Sequence, residues 1–183
     1  VQMTTTRTRA LDAAIELVGT EGLRALTHVR VDDRATLPRG STSNYFRTRA
    51  ALLAGVVERI IDRELPQVEA AEELPAAADD LVDVLCALLD ATTGPGRTLT
   101  TARLVVFLEA SNDPDLREAL ARGRVAMEAA TVGMLARMGA KDPESGAAAI
   151  MACSEGVILH RIARHDETDP RAVIELVVRA ALQ

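Results

Sequence analysis

Apolar residues recur at the spacing of an α-helix along almost the whole chain, and strand-like alternation of apolar and polar residues is missing. Near the N-terminus the apolar residues lie three and four positions apart, at Leu11, Ala14, Ile15 and Val18. This pattern predicts an amphipathic helix that ends in a turn at Gly22. The chain as a whole is therefore predicted to be all-α.

Two short helices are predicted to follow this first one. Thr27 is a suitable N-cap for the second helix, because its hydroxyl can accept a hydrogen bond from a backbone amide of the first turn. A break at residues 36–38 precedes a third, very short helix, which Pro38 would open at its first turn. Three helices within the first 46 residues have the size of a trihelical DNA-binding domain.

Prolines and glycines divide the rest of the chain into six predicted helices. Three helix starts are marked by a capping acid before a proline, at Asp113-Pro114, Asp142-Pro143 and Asp169-Pro170. Further breaks are expected at Pro66, Pro75 and Gly94-Pro95-Gly96. The six helices are expected at residues 48–65, 75–93, 98–112, 114–138, 143–165 and 170–182. The prediction is thus about nine helices, in a small domain over residues 1–47 and a larger helical bundle over residues 48–183.

The stretch from about Arg9 to Ala54 resembles the TetR-type transcriptional regulators. The resemblance rests on the helix LDAAIELV, the Gly22-Leu23 turn, the run Ala25-Leu26-Thr27, the pair Gly40-Ser41, the aromatic pair Tyr45-Phe46 and a basic residue three positions after Phe46. The chain departs from the family's pattern at Thr36, where glycine is usual, and at Asp32 and Asp33, which put acid into the second helix. The resemblance implies a helix-turn-helix domain followed by a regulatory and dimerisation domain.

The stretch TLPRGSTSNYF, residues 36–46, carries the short polar side chains that a recognition helix needs. Contacts to base edges in the major groove are expected from Arg39, Ser41, Thr42 and Asn44, of which Asn44 or Arg39 would discriminate most between bases. Contacts to phosphate oxygens are expected from Thr27, Tyr45 and Arg49. Phe46 is expected in the three-helix core, because a small domain needs its large apolar side chains there.

Charge is distributed unevenly along the chain. Residues 1–63 hold ten arginines and seven acidic residues, a net charge of +3, whereas residues 64–183 have a net charge of −9. This distribution favours a DNA-binding face over a merely solvated polar helix. A flexible leader with Arg7 and Arg9 is expected to extend the positive face toward the DNA backbone or minor groove. A solvated tail is an equal alternative for this leader.

The last two predicted helices have apolar residues on more than one face. Residues expected to meet a partner are Ile150, Val157, Ile158, Val173 and Val177. A helix covered on only one side does not need a second apolar face, so a second copy of the chain is expected there, with a monomeric core as the alternative. The resemblance implies a four-helix bundle across a two-fold axis, which would match an operator with an inverted repeat.

Aromatic residues are scarce beyond the predicted recognition helix. An effector pocket is expected to be lined by Arg103, Phe107, Met127, Met134 and Met151. Methionine side chains adapt to irregular ligands, so this lining predicts a small apolar or amphipathic effector. Packing in an ordinary core is the alternative for Phe107 and the methionines.

No motif in the sequence indicates catalysis, a metal ion or a cofactor. The three histidines and two cysteines lack the spacing of metal ligands, and no glycine-rich phosphate loop, GxSxG or HExxH motif occurs. Cys86 and Cys153 are far apart in sequence and are expected to be buried free thiols. No uncharged apolar run reaches the roughly 18 residues of a membrane span, and the N-terminus lacks a signal pattern, so the cytoplasm is the expected location.

Two functions follow from these observations. The first is a dimeric transcriptional repressor that a small apolar or amphipathic effector releases from a palindromic DNA operator. The alternative is a helical ligand-binding or interaction protein without operator binding. Asp32, Asp33 and Thr36 bear on the choice, because an acidic side chain facing DNA would repel phosphate, whereas one facing solvent or Arg34 would be harmless.

Overall fold

The computed structural model describes residues 5–71 and 75–183, and the side chains of these residues outside 65–71. In this part the chain forms nine α-helices and no strand, which confirms the all-α prediction. The helices are α1 (Thr6–Glu21), α2 (His28–Arg34), α3 (Ser41–Tyr45), α4 (Arg49–Ala71), α5 (Ala78–Thr93), α6 (Arg97–Glu109), α7 (Pro114–Arg137), α8 (Pro143–Ala163) and α9 (Arg171–Ala181). A 3-10 turn, Leu23–Ala25, lies between α1 and α2.

The chain divides into two compact units. The first comprises Val1–Arg63 and Thr98–Ala121, and the second comprises Glu64–Arg97 and Arg122–Gln183. The sequence predicted a boundary after residue 47, but the first unit extends beyond it. The reason is that the first half of α4, most of α6 and the start of α7 bury apolar residues in the same core as α1.

The core of the first unit contains aliphatic side chains of five helices, among them Val31 of α2, together with one aromatic ring. Almost fully buried side chains are Leu11, Ile15, Leu17 and Val18 of α1, Leu52, Val56, Val57 and Ile60 of α4, Ala102 and Val106 of α6, and Leu116 of α7. Phe46, which follows α3, is 5% exposed and belongs to the same cluster, as predicted. Each large side chain buried in this way stabilises the fold by about 1.5–3 kcal/mol.

Two glycines allow the helices of this core to approach closely. A Cβ atom added to Gly19 of α1 would lie 2.2 Å from the carbonyl oxygen of Thr98 in α6. One added to Gly55 of α4 would lie 2.7 Å from Cε1 of the Phe46 ring. Both distances are below any normal contact, so glycine at these two positions is a condition of the observed packing.

The third helix begins later than the sequence predicted. Pro38 was expected to open it, but α3 starts at Ser41, after Gly40 in the left-handed conformation with φ of 89°. A residue in that conformation interrupts a right-handed helix, so Pro38 stays in the preceding turn. Its carbonyl oxygen there accepts hydrogen bonds from the Ser41 amide at 3.1 Å and from the Ser41 hydroxyl at 2.6 Å.

The fourth helix continues beyond its predicted end. Pro66 was expected to break it after residue 65, but α4 runs to Ala71. A proline costs about 3 kcal/mol in a helix interior, but the residues on both sides of it are mostly strong helix formers, which favour continuation of the helix. The predicted loop over residues 69–75 falls partly outside the described residues.

In the second unit, α5, α8 and α9 pack on one another. Its buried apolar residues are Leu81, Val82 and Leu89 of α5, Met134 and Leu135 of α7, Ala147, Ile150 and Ile158 of α8, and Ile174 and Val178 of α9. Ion pairs join α5 to the other two helices at Asp90–Arg161, Asp83–Arg171 and Asp79–Arg179. Each pair has at least one exposed partner and so contributes at most about 1 kcal/mol, which leaves apolar packing as the main stabilising force.

The three Asp-Pro pairs lie at helix starts, as predicted. The Asp142 carboxylate accepts a hydrogen bond from the Ser145 amide at 3.1 Å at the start of α8, and hydrogen bonds from Ser145 hold the pKa of Asp142 below its usual value. At the start of α7, the Asp113 carboxylate accepts from the amides of Asp115 and Leu116 at 3.0 and 3.2 Å. The third pair precedes α9, which begins one residue after the proline.

Replacing Gly19 with alanine is expected to destabilise the protein. Alanine favours a helix over glycine by about 1 kcal/mol, but the added methyl group would collide with the Thr98 carbonyl, and overpacking costs about 1–3 kcal/mol. Gly133→Ala in α7 is the matched control, because its Cβ would meet only the tip of Arg137 at 3.5 Å. Thermal unfolding should give a lower melting temperature for Gly19→Ala and an equal or higher one for Gly133→Ala. A melting temperature of Gly19→Ala at or above that of the unaltered protein would contradict the close approach of α1 and α6.

Candidate nucleic-acid interface

The outer face of α3 consists of short polar side chains and one tyrosine. Ser43, Asn44 and Tyr45 are exposed, and Tyr45 keeps 52% of its surface accessible. The hydroxyls of Ser41 and Ser43 donate to the carbonyl oxygens of Pro38 and Gly40 at 2.6 and 2.9 Å. The side-chain amide of Asn44 makes no hydrogen bond within the described part of the chain, so Asn44 is the residue of α3 whose side chain has the most free donors and acceptors.

Thr42 lies on the inner face of α3, whereas a contact to a base edge would require it on the outer face. It is fully buried, and its hydroxyl donates to the Asp32 carboxylate at 2.5 Å. The prediction that Thr42 contacts a base edge is therefore wrong for this structure. A five-residue helix must turn one side toward its own domain, and sequence spacing alone did not show which side.

Asp32 is buried beneath the start of α3 and does not face DNA. Its Oδ2 accepts from the Gly40 amide at 2.8 Å, and its Oδ1 accepts from the Thr42 amide at 2.8 Å and from the Thr42 hydroxyl. Burial alone would raise the pKa of Asp32, but these hydrogen bonds outweigh it and hold the pKa below its usual value. Asp33 is exposed. The Asp32 carboxylate thus supports α3 from within the domain, and its burial means that it does not face the phosphates of bound DNA.

Two of the residues predicted to contact phosphate have structural contacts of their own. The Thr27 hydroxyl accepts from the Arg30 amide at 3.3 Å and so caps α2, as predicted. The Arg49 guanidinium donates to the carbonyl oxygens of Leu23 and Leu26 at 2.8 and 3.3 Å, at the end of the 3-10 turn. Both side chains are otherwise exposed, so they combine a local structural role with a surface position.

Arginines near α2 and α3 differ in whether an acidic residue binds them. Arg34 pairs with Glu16 and Glu21, and Arg30 also pairs with Glu21. Three others are exposed and form no ion pair or hydrogen bond with a described residue: Arg24 in the 3-10 turn, Arg39 before α3, and Arg47 after it. Only Arg39 was predicted. Arg47 could have been found from its position directly after the aromatic pair, where a loop leads from α3 into α4.

Arg7 and Arg9 do not form a flexible leader. Both lie in the first turn of α1, which begins at Thr6. The Arg9 guanidinium donates to the carbonyl oxygens of Ala35 and Thr36 at 2.7 and 3.3 Å. Arg7 lies 5.5 Å from the centre of the Phe46 ring and 3.5 Å from the Glu58 carboxylate. These two arginines therefore bind their own domain, and residues 1–4 of the expected leader lie outside the described residues, so its extension of the positive face stays a prediction.

The five residues predicted to line an effector pocket fall into the two compact units. Arg103 and Phe107 belong to the first, and Met127, Met134 and Met151 belong to the second. Phe107 is 56% exposed and Met134 is buried, while the other three are half-buried. Their joint role in a pocket remains a prediction.

The five residues predicted at a dimer interface differ in exposure. Ile150 and Ile158 are buried in the core of their own unit, Val157 and Val177 are half-buried, and Val173 is 41% exposed. Two leucines that the sequence reasoning did not select, Leu159 of α8 and Leu176 of α9, are 46% and 70% exposed. The accessible apolar surface of α8 and α9 therefore includes Leu159 and Leu176 as well as three of the predicted residues, Val157, Val173 and Val177.

The second unit also contains both cysteines and the apolar helix α8. Cys86 and Cys153 are free thiols, and burial raises the pKa of both. α8 is the one helix among the described residues that is long and apolar enough to cross a membrane by length and composition, and 17% of that stretch is buried in the chain. A single helix of this kind is weak evidence for a membrane span, because helices of soluble proteins meet the same criteria.

The first unit has the features of a helix-turn-helix DNA-binding domain: a short exposed helix, a second helix that supports it, and exposed arginines at both of its ends. A family described as "Tetracyclin repressor-like, C-terminal domain" matches residues 76–183, more than half of the chain. The chain belongs to this family and is a TetR-family transcriptional regulator. Members of the family are transcription factors and not enzymes.

Solved structures with the same fold cover nearly the whole chain. The multidrug binding protein EbrR, solved in complex with ethidium, is 26% identical, with 98% of this chain and 99% of that chain covered and a TM-score of 0.75. A TetR-family member from Streptomyces coelicolor A3 is also 26% identical, with coverage of 97% and 98% and a TM-score of 0.75. A transcriptional regulator from Rhodococcus sp. Rha1 is 19% identical, with coverage of 98% and 97% and a TM-score of 0.82, a likeness of fold alone. No curated protein matches the sequence.

Replacing Thr36 with glycine is expected to raise stability. Thr36 has φ of 52°, a left-handed conformation that costs a β-branched residue about 1–2 kcal/mol and that glycine adopts freely. Thr36→Ala is the matched control, because alanine also loses the side chain but keeps a Cβ and most of the strain. Thermal unfolding should give a higher melting temperature for Thr36→Gly than for Thr36→Ala. The reverse order would show that the turn carries no such strain.

Proposed function

We propose that this regulator is a dimeric repressor that reads an inverted-repeat operator through α3 and leaves it when a small apolar or amphipathic molecule binds. Its place of action is then the cytoplasm, where the DNA lies. The observation that carries the proposal is the exposed Asn44 amide on α3, with Arg39 before the helix and Arg47 after it. The same arrangement supports operator binding over the alternative of a helical protein that does not bind DNA.

Asn44 is the residue best suited to read a base. Its amide can donate and accept at once, which matches the N7 and N6 edge of adenine in the major groove. Arg39 has the reach and donor geometry for guanine or for a phosphate, and Tyr45 and Arg47 are placed at the far end of α3, where phosphate contacts would fix the register. Sequence preference is therefore assigned to Asn44 and Arg39, and general affinity to the other residues.

The dimer is proposed to form through the accessible faces of α8 and α9. Leu159, Val173 and Leu176 expose 46%, 41% and 70% of their surfaces, and most of the apolar stretch of α8 is not covered by its own chain. Small residues at Ala152 and Gly156 lie on α8 near Leu159, and an added Cβ at Gly156 would meet nothing within 4 Å. A second copy of these helices would cover this surface and place two recognition helices on one operator.

The effector is proposed to be apolar or amphipathic. EbrR has been solved with ethidium and with proflavin, and those two crystal structures are 26% and 27% identical to this chain. Flat aromatic cations are therefore the first compounds to test here. Release would follow if the compound favoured a dimer geometry whose two recognition helices no longer match successive major grooves.

Selection of bound duplexes from a random pool tests the proposed function directly. Enrichment of an inverted repeat supports a dimeric sequence reader and supplies the probe for an effector screen. Enrichment of a single half-site would contradict the dimer part of the proposal. Absence of any enrichment, with only weak and salt-sensitive binding, would contradict operator recognition.

Asn44→Ala and Arg47→Ala are expected to weaken DNA binding in different ways. Loss of Asn44 should relax the preference at one base position, which is worth about 1–3 kcal/mol. Loss of Arg47 should weaken binding to all duplexes alike and lower the salt slope by about 1. Fluorescence anisotropy on the selected duplex and on single-base variants, at several salt concentrations, separates the two. Sequence-independent loss from both changes would contradict the assignment of Asn44.

Leu176→Glu is expected to dissociate the dimer. The change would place a charge in the middle of the proposed apolar interface, where an unpaired buried charge is strongly unfavourable. Leu108→Glu in α6 is the matched control, because Leu108 is equally exposed at 69% but lies outside α8 and α9. Sedimentation equilibrium should show monomers for Leu176→Glu and dimers for Leu108→Glu. Dimers in both variants would place the interface elsewhere.

A further inference from the structure

Side chains of α2 form hydrogen bonds at both ends of the recognition helix α3. Asp32 accepts hydrogen bonds from the amides of Gly40 and Thr42 at the start of α3, both at 2.8 Å. His28 lies one turn earlier on α2, and its Nε2 is 2.6 Å from the carbonyl oxygen of Phe46, directly after α3. Residues four apart on a helix share a face. One face of α2 therefore contacts both ends of α3.

The donor and the acceptor of each of these hydrogen bonds follow from the groups involved. A carbonyl oxygen only accepts, so Nε2 of His28 must carry the proton and donate to Phe46. A carboxylate only accepts, so Asp32 takes the amide protons at the start of α3 that no turn of the helix can satisfy. Asp32 also accepts the Thr42 hydroxyl proton, which fixes the buried face of α3. The two side chains thus bind three separate points of a helix that is too short to be stable by itself.

We propose that Asp32 and His28 are positioning residues for sequence recognition: together they fix α3 on α2 so that Asn44 and Arg39 meet their bases. This inference rests on the proposed operator binding. Neither residue touches DNA in it. Asp32 is 1% exposed, and Nε2 of the half-buried His28 is bonded to the Phe46 carbonyl.

Recognition of bases is more sensitive to this positioning than phosphate binding is. A side-chain amide reads a base edge only when its hydrogen bonds have the right distance and angle, so the supporting residues must hold it within about 0.5 Å. Long arginine side chains, in contrast, follow a phosphate through changes of rotamer. Loss of the clamp formed by Asp32 and His28 should therefore reduce specific binding much more than non-specific binding.

The test compares variants on two duplexes of equal length, the one selected from the random pool and a scrambled one. Asp32→Ala is expected to weaken binding to the selected duplex by about tenfold or more, the value of one lost base contact, with the affinity for the scrambled duplex and its salt dependence unchanged. Asp33→Asn is the matched control, since Asp33 is the neighbouring exposed acid, and should alter neither. His28→Gln, which keeps a donor, should retain more specificity than His28→Ala.

Unchanged specificity in folded Asp32→Ala would overturn the proposal, and so would an equal loss on both duplexes, which a purely structural role predicts. If Asp32→Ala does not fold, Asp32→Asn and Thr42→Val replace it in the test. The quantity measured is again the ratio of the affinity for the selected duplex to that for the scrambled duplex. Asp32→Asn removes one acceptor and the charge, whereas Thr42→Val removes only the hydroxyl bond. Both should lose less specificity than Asp32→Ala, and Asp32→Asn should lose more than Thr42→Val. No loss in either overturns the proposal.

Amide hydrogen exchange separates this inference from the proposed function. If the random pool yields no preferred duplex, operator recognition fails, yet the anchoring of α3 can still be measured. The amides of Gly40 and Thr42 should exchange faster in Asp32→Asn than in Asp33→Asn, at matched global stability. Equal exchange in the two variants would overturn the role of Asp32 in holding α3, whatever the outcome of the DNA selection.

Discussion

A helix of five residues cannot hold its conformation in water without support, and the DNA-binding unit is built around this constraint. The support of α3 is partly apolar and partly polar. Phe46 anchors its C-terminal end in the core of the unit, and Thr42 turns inward to Asp32. Because the inner face is committed in this way, the outer face is left to Ser43, Asn44 and Tyr45. The burial of Thr42 and Phe46 thus determines which side chains of α3 are accessible to DNA.

The core that supports α3 contains more apolar side chains than helices α1, α2 and α3 supply by themselves. A domain of fewer than about 50 residues buries little apolar surface. Here α4, α6 and the start of α7 add their apolar residues to the core of α1. Glycine at Gly19 and Gly55 allows the close approach that this packing requires. The helix-turn-helix region therefore shares its core with segments well outside its own motif.

Charge in the first unit serves structure as much as DNA binding. The net charge of +3 over residues 1–63 includes arginines that bind carbonyl oxygens or acids of their own domain. Arg9 and Arg49 occupy backbone carbonyls at two turns, and Arg30 and Arg34 pair with glutamates. Arg24, Arg39 and Arg47, in contrast, are exposed and form no hydrogen bond or ion pair with a described residue.

The sequence by itself determined the all-α fold, the helix starts at the Asp-Pro pairs and the burial of Phe46, because helical periodicity, capping and side-chain size act locally. It did not determine the inward orientation of Thr42 or the role of Asp32, which depend on contacts eight to ten residues apart across a turn. Nor did it show that Ile150 and Ile158 are covered by their own unit while Leu159 and Leu176 are not. Periodicity identifies residues that share a face of a helix, but only tertiary packing decides which neighbour covers that face.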